Sequence, residues 1–409
     1  MTTRGHTILV YNPLAGHGHL DSWNALVVSF LLERGDTVLA LTPQPSELLR
    51  RLGLLGVGAH PRLSLLRWAN IKPTFWQRVY NRLAGMAPFF FTANTQESKH
   101  DPENNYLEPS EFAQRLQVAL KDVSTTPDFM FNMYMDLYRT DEKRWQHFSQ
   151  LCRIPWAGLR FIPQRLPVEG YYKTPNLRGI ALLDEKLTAA YQVQLPQLVI
   201  GYLPDMTDVS IGNDTSHIVQ AIVTRARGRK IVFMGGTIGQ NKNLARWYEL
   251  IQKADTHKWF FVQIGEILKD DLTQEDREAC QIIDLEPPEN LYRHIGYLPD
   301  ERDFNAAIAI ADIIYAVYRD FRISSNMLGK AAAFNKSIVV AQGHLMGERV
   351  GAYRIGVAVP ENDPTAVLNA LQALIERPCN PECFEAYRTD FSKAAFKNNF
   401  FQLIDACQS

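Results

Sequence analysis

The chain has 409 residues, 46% of them apolar and 21% charged, with a net charge of −1. That length exceeds one ordinary core and suits two domains, while the near-neutral balance excludes the broad basic field of a nucleic-acid-binding protein. The five cysteines, Cys152, Cys280, Cys379, Cys383 and Cys407, are scattered and odd in number. They argue against a disulfide framework and for a reducing compartment. Cys379 and Cys383 have no second ligand pair to complete a zinc site, so no metal is expected.

In chain order, HTILVYNP (6–13) reads as a buried strand. No signal peptide precedes it and no apolar run is long enough to span a bilayer, so a cytoplasmic location is expected, or a peripheral one on the cytosolic face of a membrane. The strand enters a turn containing Gly16, His17, Gly18 and His19, and a helix follows from about Asp21 to Glu33, with Leu26, Val27, Phe30 and Leu31 at helical spacing. RGD closes that helix and TVLALTP is the next strand, which completes a right-handed βαβ unit.

Between Glu47 and Glu97 there is no acidic residue. The interval carries Arg50, Arg51, Arg62, Arg67, Lys72, Arg78 and Arg82, with Trp68, Phe75, Trp76 and Tyr80 among them. Two readings of residues 50–91 stand. One is a surface for an anionic membrane or acceptor. The other is a helical pair packed on the core with a solvated basic face.

Further buried strands are read at 127–136, 154–163 and 197–205, with a helix between the first two. The polar segment MTDVSIGNDTSH (206–217) marks a domain junction. The pattern then restarts with KIVFMGGTIGQNKN (230–243), KWFFVQIGE (258–266) and a short strand ending in IGYLPD (295–300). A helix from Arg302 to Ala309, the strands 312–318 and 336–343, and terminal helices over 383–406 follow. The expected fold is α/β, two doubly wound parallel-sheet domains facing a cleft, with ligands at the carboxyl ends of the strands. The boundaries read as 1–205, 206–382 and a helical tail over 383–409 that returns to the first domain.

Three places carry candidate chemistry. In the first loop Gly16 and Gly18 admit close approach of a ligand, and His17 or His19 titrates near neutrality as a general base. Asp21 orients one of them or caps the helix, and Asp136, at a strand end, is a third candidate base. In the second domain Gly235, Gly236 and Thr237 open a turn whose N–H groups suit phosphate, with Lys242 as the point charge. The loop fits neither a Walker A motif nor a dinucleotide fingerprint. Third, Arg322, Ser324, Ser325, Asn326 and Lys330 gather at a helix start after a strand. A cation at that end is disfavoured by the helix dipole unless an anion lies there, which points to a diphosphate.

In their order, the stretches ILVYNPLAGHGH, FMGGTIGQNKN, HIGYLPDERDFNAAIAIADIIYAVY and LGKAAAFNKSIVVA resemble the GT-B glycosyltransferases, nearest to the family 4 type. The resemblance implies a nucleotide-diphosphate sugar as donor in the second domain and an acceptor hydroxyl in the first, on a glycan or lipid-linked acceptor. It implies no metal and no cofactor. It places Gly235–Lys242 and Arg322–Lys330 around the diphosphate, Gly296, Tyr297 and Leu298 beside the base, and the two histidines near the reacting sugar. It also exposes a departure: the family's two glutamates, separated by seven residues, fall on Arg322 and Lys330. A sugar-nucleotide epimerase or phosphorylase of the same shape, and a non-catalytic nucleotide- or glycan-binding scaffold, are the alternatives.

Overall fold

The computed structural model describes residues 5–14, 19–69, 107–138, 142–207, 209–211, 216–296, 298 and 301–409. The chain forms two units, Met1–Leu203 with Lys397–Ser409, and Pro204–Phe396.

The first unit is built on β1 (Thr7–Tyr11), β2 (Thr37–Leu41), β3 (Leu63–Leu65), β4 (Phe129–Asn132), β5 (Trp156–Arg160), β6 (Leu177–Leu182) and β7 (Val199–Tyr202). They form one seven-stranded sheet in the order β3-β2-β1-β4-β5-β6-β7, with every pairing parallel. Parallel strands are covered on both faces, which is why β1 reads TILVY and every one of its residues is buried. Helices α1 (His19–Arg34), α2 (Pro45–Leu54), α3 (Pro109–Leu120), α4 (Glu142–Leu151) and α5 (Glu185–Gln194) provide the cover. Helix α1 ends where RGD predicts: Gly35 takes φ +104°, and its N–H and that of Asp36 close back on Leu32 and Leu31.

The second unit repeats the plan with β8 (Lys230–Gly235), β9 (Trp259–Gly265), β10 (Leu291–Ile295), β11 (Ile313–Ala316), β12 (Ser337–Ala341) and β13 (Gly356–Val359). This six-stranded sheet runs β10-β9-β8-β11-β12-β13. Its helices are α6 (His217–Ala226), α7 (Leu244–Lys253), α8 (Gln274–Leu285), α9 (Glu301–Ala309), α10 (Asn326–Ala333), α11 (Leu345–Tyr353), α12 (Pro364–Glu376) and α13 (Pro381–Asp390). The last helix, α14 (Lys393–Gln408), begins in this unit and continues into the first.

Strand order reverses once in each sheet, between β1 and β4 and between β8 and β11. Both reversals carry the same peg. Asp128, just before β4, accepts the Thr7 N–H at 2.8 Å and donates its own N–H to the Thr7 carbonyl. Asp312, just before β11, accepts the Ile231 N–H at 2.8 Å and donates to the Ile231 carbonyl. A one-residue slip would break both bonds, so each carboxylate fixes the register of the strands that flank the crevice.

The structure departs from the sequence reading at β3 and β6, neither of which is read there as a strand, and at the return of the last helix. Strand β6 (LRGIAL) escapes notice because Arg178 and Gly179 dilute its apolar run. Gly179 is required by packing, since a Cβ there would lie 2.4 Å from the Cys407 sulfur of α14. The return to the first unit begins at Lys397 and not at 383. Residues 383–396 stay behind because Phe384, Tyr387 and Phe391 are buried in the core of the second unit, with the Tyr387 and Phe391 rings stacked at 4.1 Å. Among the described residues, no helix is long and apolar enough to cross a membrane.

Candidate functional site

In a doubly wound sheet, the helix N-termini and loops diverge at the strand-order reversal, which leaves a crevice at the carboxyl ends of the strands. In the second unit that crevice lies beyond β8 and β11. Gly236 leaves β8 with φ +98° and Gly265 leaves β9 with φ +148°. Their backbones touch: a Cβ on Gly265 would sit 1.8 Å from the Gly236 carbonyl oxygen. Only glycine lets the two strand ends close together.

The turn that follows β8 is held from outside. The Arg319 guanidinium donates to the Gln240 carbonyl at 3.0 Å, to Asp276 Oδ2 at 2.8 Å and to Asn243 Oδ1 at 2.7 Å. Asn243 is in the left-handed region at φ +55°, and its Nδ2 donates to the Glu361 carbonyl at 3.0 Å. Burial pushes the Asp276 carboxyl up, but bonds from Arg319, Thr273 and the Ala245 N–H bring it below its ordinary value. The turn is thus clamped before any ligand arrives.

Inside this clamp lies Lys242. Its residue is 7% exposed, and its Nζ sits 3.8 Å from the centroid of the Tyr318 ring. Among the described residues its Nζ donates one hydrogen bond, to the Gly235 carbonyl at 3.3 Å. Among the described residues no carboxylate pairs with it. Burial alone pulls its amine down to about 7. A lysine buried on one carbonyl and a ring face is an unmatched donor. Tyr318 joins Lys242 to the third sequence candidate. Its phenol is driven above its ordinary range by burial and eased by the neighbouring Ser325 hydroxyl. Ser325 is the N-cap of α10, accepting the Met327 N–H at 3.4 Å. Gly235, Gly236, Lys242 and Ser325 therefore share one end of the sheet, with Thr237 exposed on the turn and Asn326 as the first residue of α10.

Two candidate cations are placed otherwise than the sequence suggests. Helix α10 has only eight residues, so Lys330 lies in its last turn and not at its start. Helical side chains lean toward the N-terminus, and the Lys330 ammonium reaches back to Glu301 Oε1 at 2.5 Å and to the Asn305 side chain. It is fully buried and already neutralised by that carboxylate, so it is not the open phosphate ligand expected. Arg322 is exposed and pairs with Asp320 at 2.9 Å. Ser324 does not face outward as a free hydroxyl: it donates to Asp205 Oδ2 at 2.6 Å and accepts from Arg349 Nη1 at 2.7 Å. Leu298 packs against the core of the unit, and Tyr297 lies outside the described residues. The sequence reading missed Arg319, Asn243, Asp276, Asp205 and Arg349. Asn243 had a local signal, as an asparagine in a glycine-rich turn. The others act from distant segments.

In the first unit, Gly16, His17 and Gly18 lie outside the described residues, and of His19 only its place at the start of α1 is described. Asp21 therefore sits within the first turn of α1 rather than capping it. Asp136 is a correction. Its carboxylate accepts the Arg160 Nε at 3.1 Å and the N–H groups of Phe161 and Ile162 at 2.8 Å each. Its side chain is 7% exposed, and it pins a turn and a buried arginine. Arg160 also meets Glu169 and the Tyr171 hydroxyl.

The described part of the basic stretch is largely occupied as well. Arg50 and Arg51 both pair with Glu47, whose carboxyl the Arg50 hydrogen bond holds at about 2. Arg62 donates to the Leu32 carbonyl at 3.2 Å. Trp68 is covered by the Arg115 guanidinium at 4.2 Å. Lys72, Phe75, Trp76, Arg78, Tyr80 and Arg82 lie outside the described residues.

Two Rossmann-like units with parallel sheets of seven and six strands define the GT-B fold. Solved structures of that fold match the chain over nearly its whole length. Anabaena HepE, in complex with UDP and glucose, is 10% identical, with 98% of this chain and 100% of that chain covered and a TM-score of 0.63. A glycosyltransferase from Rickettsia africae is 12% identical, with 98% of each chain covered and a TM-score of 0.64. A trehalose-6-phosphate protein of E. coli, bound with UDP-2-fluoro glucose, is 12% identical, with 98% and 99% covered and a TM-score of 0.66. No protein-family model and no curated protein matches the sequence.

Proposed function

We propose that the chain is a glycosyltransferase. It takes a nucleotide-diphosphate sugar at the carboxyl edge of the second sheet and passes the sugar to an acceptor hydroxyl bound by the first unit. The observation that carries this is Lys242, a buried amine donor with no acidic partner among the described residues, set beneath the Gly235–Gly236 turn at the strand-order reversal. Neighbours of the same fold were solved with UDP, UDP-glucose or a fluorinated analogue, which supports the same donor class here.

The chemistry follows from charge. As the bond from the sugar to the diphosphate breaks, negative charge grows on the leaving oxygen. Donors already fixed around that oxygen stabilise it without reorganising, and one such donor is worth about 3–4 kcal/mol. Lys242 supplies a positive charge in a dry environment, and the first N–H groups of α10 supply the helix dipole. No metal or cofactor is invoked. Arg322, exposed at the same edge, can swing toward a sugar or phosphate at the cost of its pair with Asp320. Deprotonation of the acceptor falls to His17 or His19, since Asp136 is committed to Arg160. The acceptor is a glycan or a lipid-linked hydroxyl, and the stretch 50–91 is its contact with an anionic membrane surface; the protein works in the cytoplasm.

The test is a donor screen. Purified chain is offered uridine, guanosine, thymidine and adenosine diphosphate sugars, with and without candidate acceptors, and released nucleotide is measured. Turnover with one base family and its loss in Lys242→Ala support the reading. No release and no binding with any donor reject it.

A further inference from the structure

A lysine in water gains its charge from hydration, and Lys242 has exchanged hydration for one carbonyl and the face of a tyrosine ring. The charged groups around it are engaged elsewhere. In the turn beyond Tyr318, after β11, Arg319 is paired with Asp276 of α8 at 2.8 Å. Asp320 pairs with Arg322, and His344, before α11, stands 4.0 Å from Asp320. Glu361, after β13, accepts the Asp320 N–H at 2.8 Å. Asp271, following β9, lies against Gly239 of the turn. Gln240, Asn241 and Asn243 of its own turn carry no charge. None of these groups compensates an ammonium at Nζ.

We propose that Lys242 gives up its charge in the empty site as pH rises above neutrality and is protonated as a diphosphate arrives, so that donor binding takes up a fraction of a proton that approaches one at alkaline pH. This rests on the reading of the site as a diphosphate pocket. The amine lone pair takes a proton from the buffer, and the resulting ammonium is held between the Gly235 carbonyl and the anion. The burial that lowers the amine to about 7 gives the direction, because a dianion within about 4 Å restores the charged form. The linkage makes the pocket self-consistent: empty, it sheds its unpaired charge as pH rises; filled, it buries a matched pair.

Calorimetric titration tests it. The probes are the glucose diphosphates of uridine, guanosine, thymidine and adenosine, whose diphosphate diesters do not titrate between pH 7 and 8. Each is titrated in buffers of different ionisation heat. Fractional proton uptake is expected at pH 7 and a larger uptake at pH 8, with the Kd rising between them. Lys242→Arg, charged at both pH values, is expected to bind without uptake. Should the larger side chain fail to fit, the wild-type pH series decides alone. Observed heats identical in every buffer, with binding intact, overturn the proton linkage and leave the donor site standing. Absence of binding by all four overturns the diphosphate pocket and the linkage with it.

Discussion

Replacing Lys242 by methionine keeps the length of the side chain and removes the charge, which makes the cost of burying that charge measurable. The native amine sits at about 7 against an ordinary 10.5. The folded state therefore binds fewer protons than the unfolded state between those values, and stability rises with pH across that window. Below pH 7 both states are protonated and the whole cost is present, about 5 kcal/mol from a gap of about 3.5 at about 1.4 kcal/mol each. At pH 9 about 2 kcal/mol remains, and above pH 10.5 nothing. Lys242→Met escapes this term at every pH. In urea unfolding of both proteins without nucleotide, followed by tryptophan fluorescence, the stability of the variant relative to wild type is expected to fall by about 3 kcal/mol from pH 6 to pH 9. Packing and dispersion differences cancel in that comparison because they do not depend on pH. A difference that stays constant across the range would refute the claim that an unmatched amine is buried here.

Asp136→Asn removes the charge that faces Arg160 and is expected to cost about 3–5 kcal/mol of stability in urea unfolding. Nucleotide affinity at the second unit should not move; a lost turnover with stability kept would return Asp136 to the role of base. Gly265→Ala places a methyl 1.8 Å from the Gly236 carbonyl, so the turn must shift and the Kd for the preferred nucleotide should rise tenfold or more by calorimetry. An unchanged Kd would show that the two strand ends need not touch. Lys330→Met strips Glu301 and Asn305 of their partner and is expected to lower stability by about 3 kcal/mol, with the Kd changing less than threefold. The opposite pattern, affinity lost and stability kept, would make Lys330 a phosphate ligand after all.

The sequence by itself determined the two units, because a parallel sheet covered on both faces demands continuous apolar strands such as TILVY and KIVFMG, and no other pattern in the chain is so regular. It also singled out the glycine turn with its lysine, since glycine pairs and a nearby cation are local signals. What it left open was which cations are free. Lys242 and Lys330 look alike in one dimension. Tertiary structure gave Lys330 a carboxylate from a helix 29 residues away and left Lys242 with a carbonyl and a ring. Asp136 and Ser324 were likewise taken up by Arg160 and by Asp205 with Arg349. A side chain's charge is written in the sequence, but its availability depends on what long-range packing brings within 3 Å of it. Only the folded chain decides that.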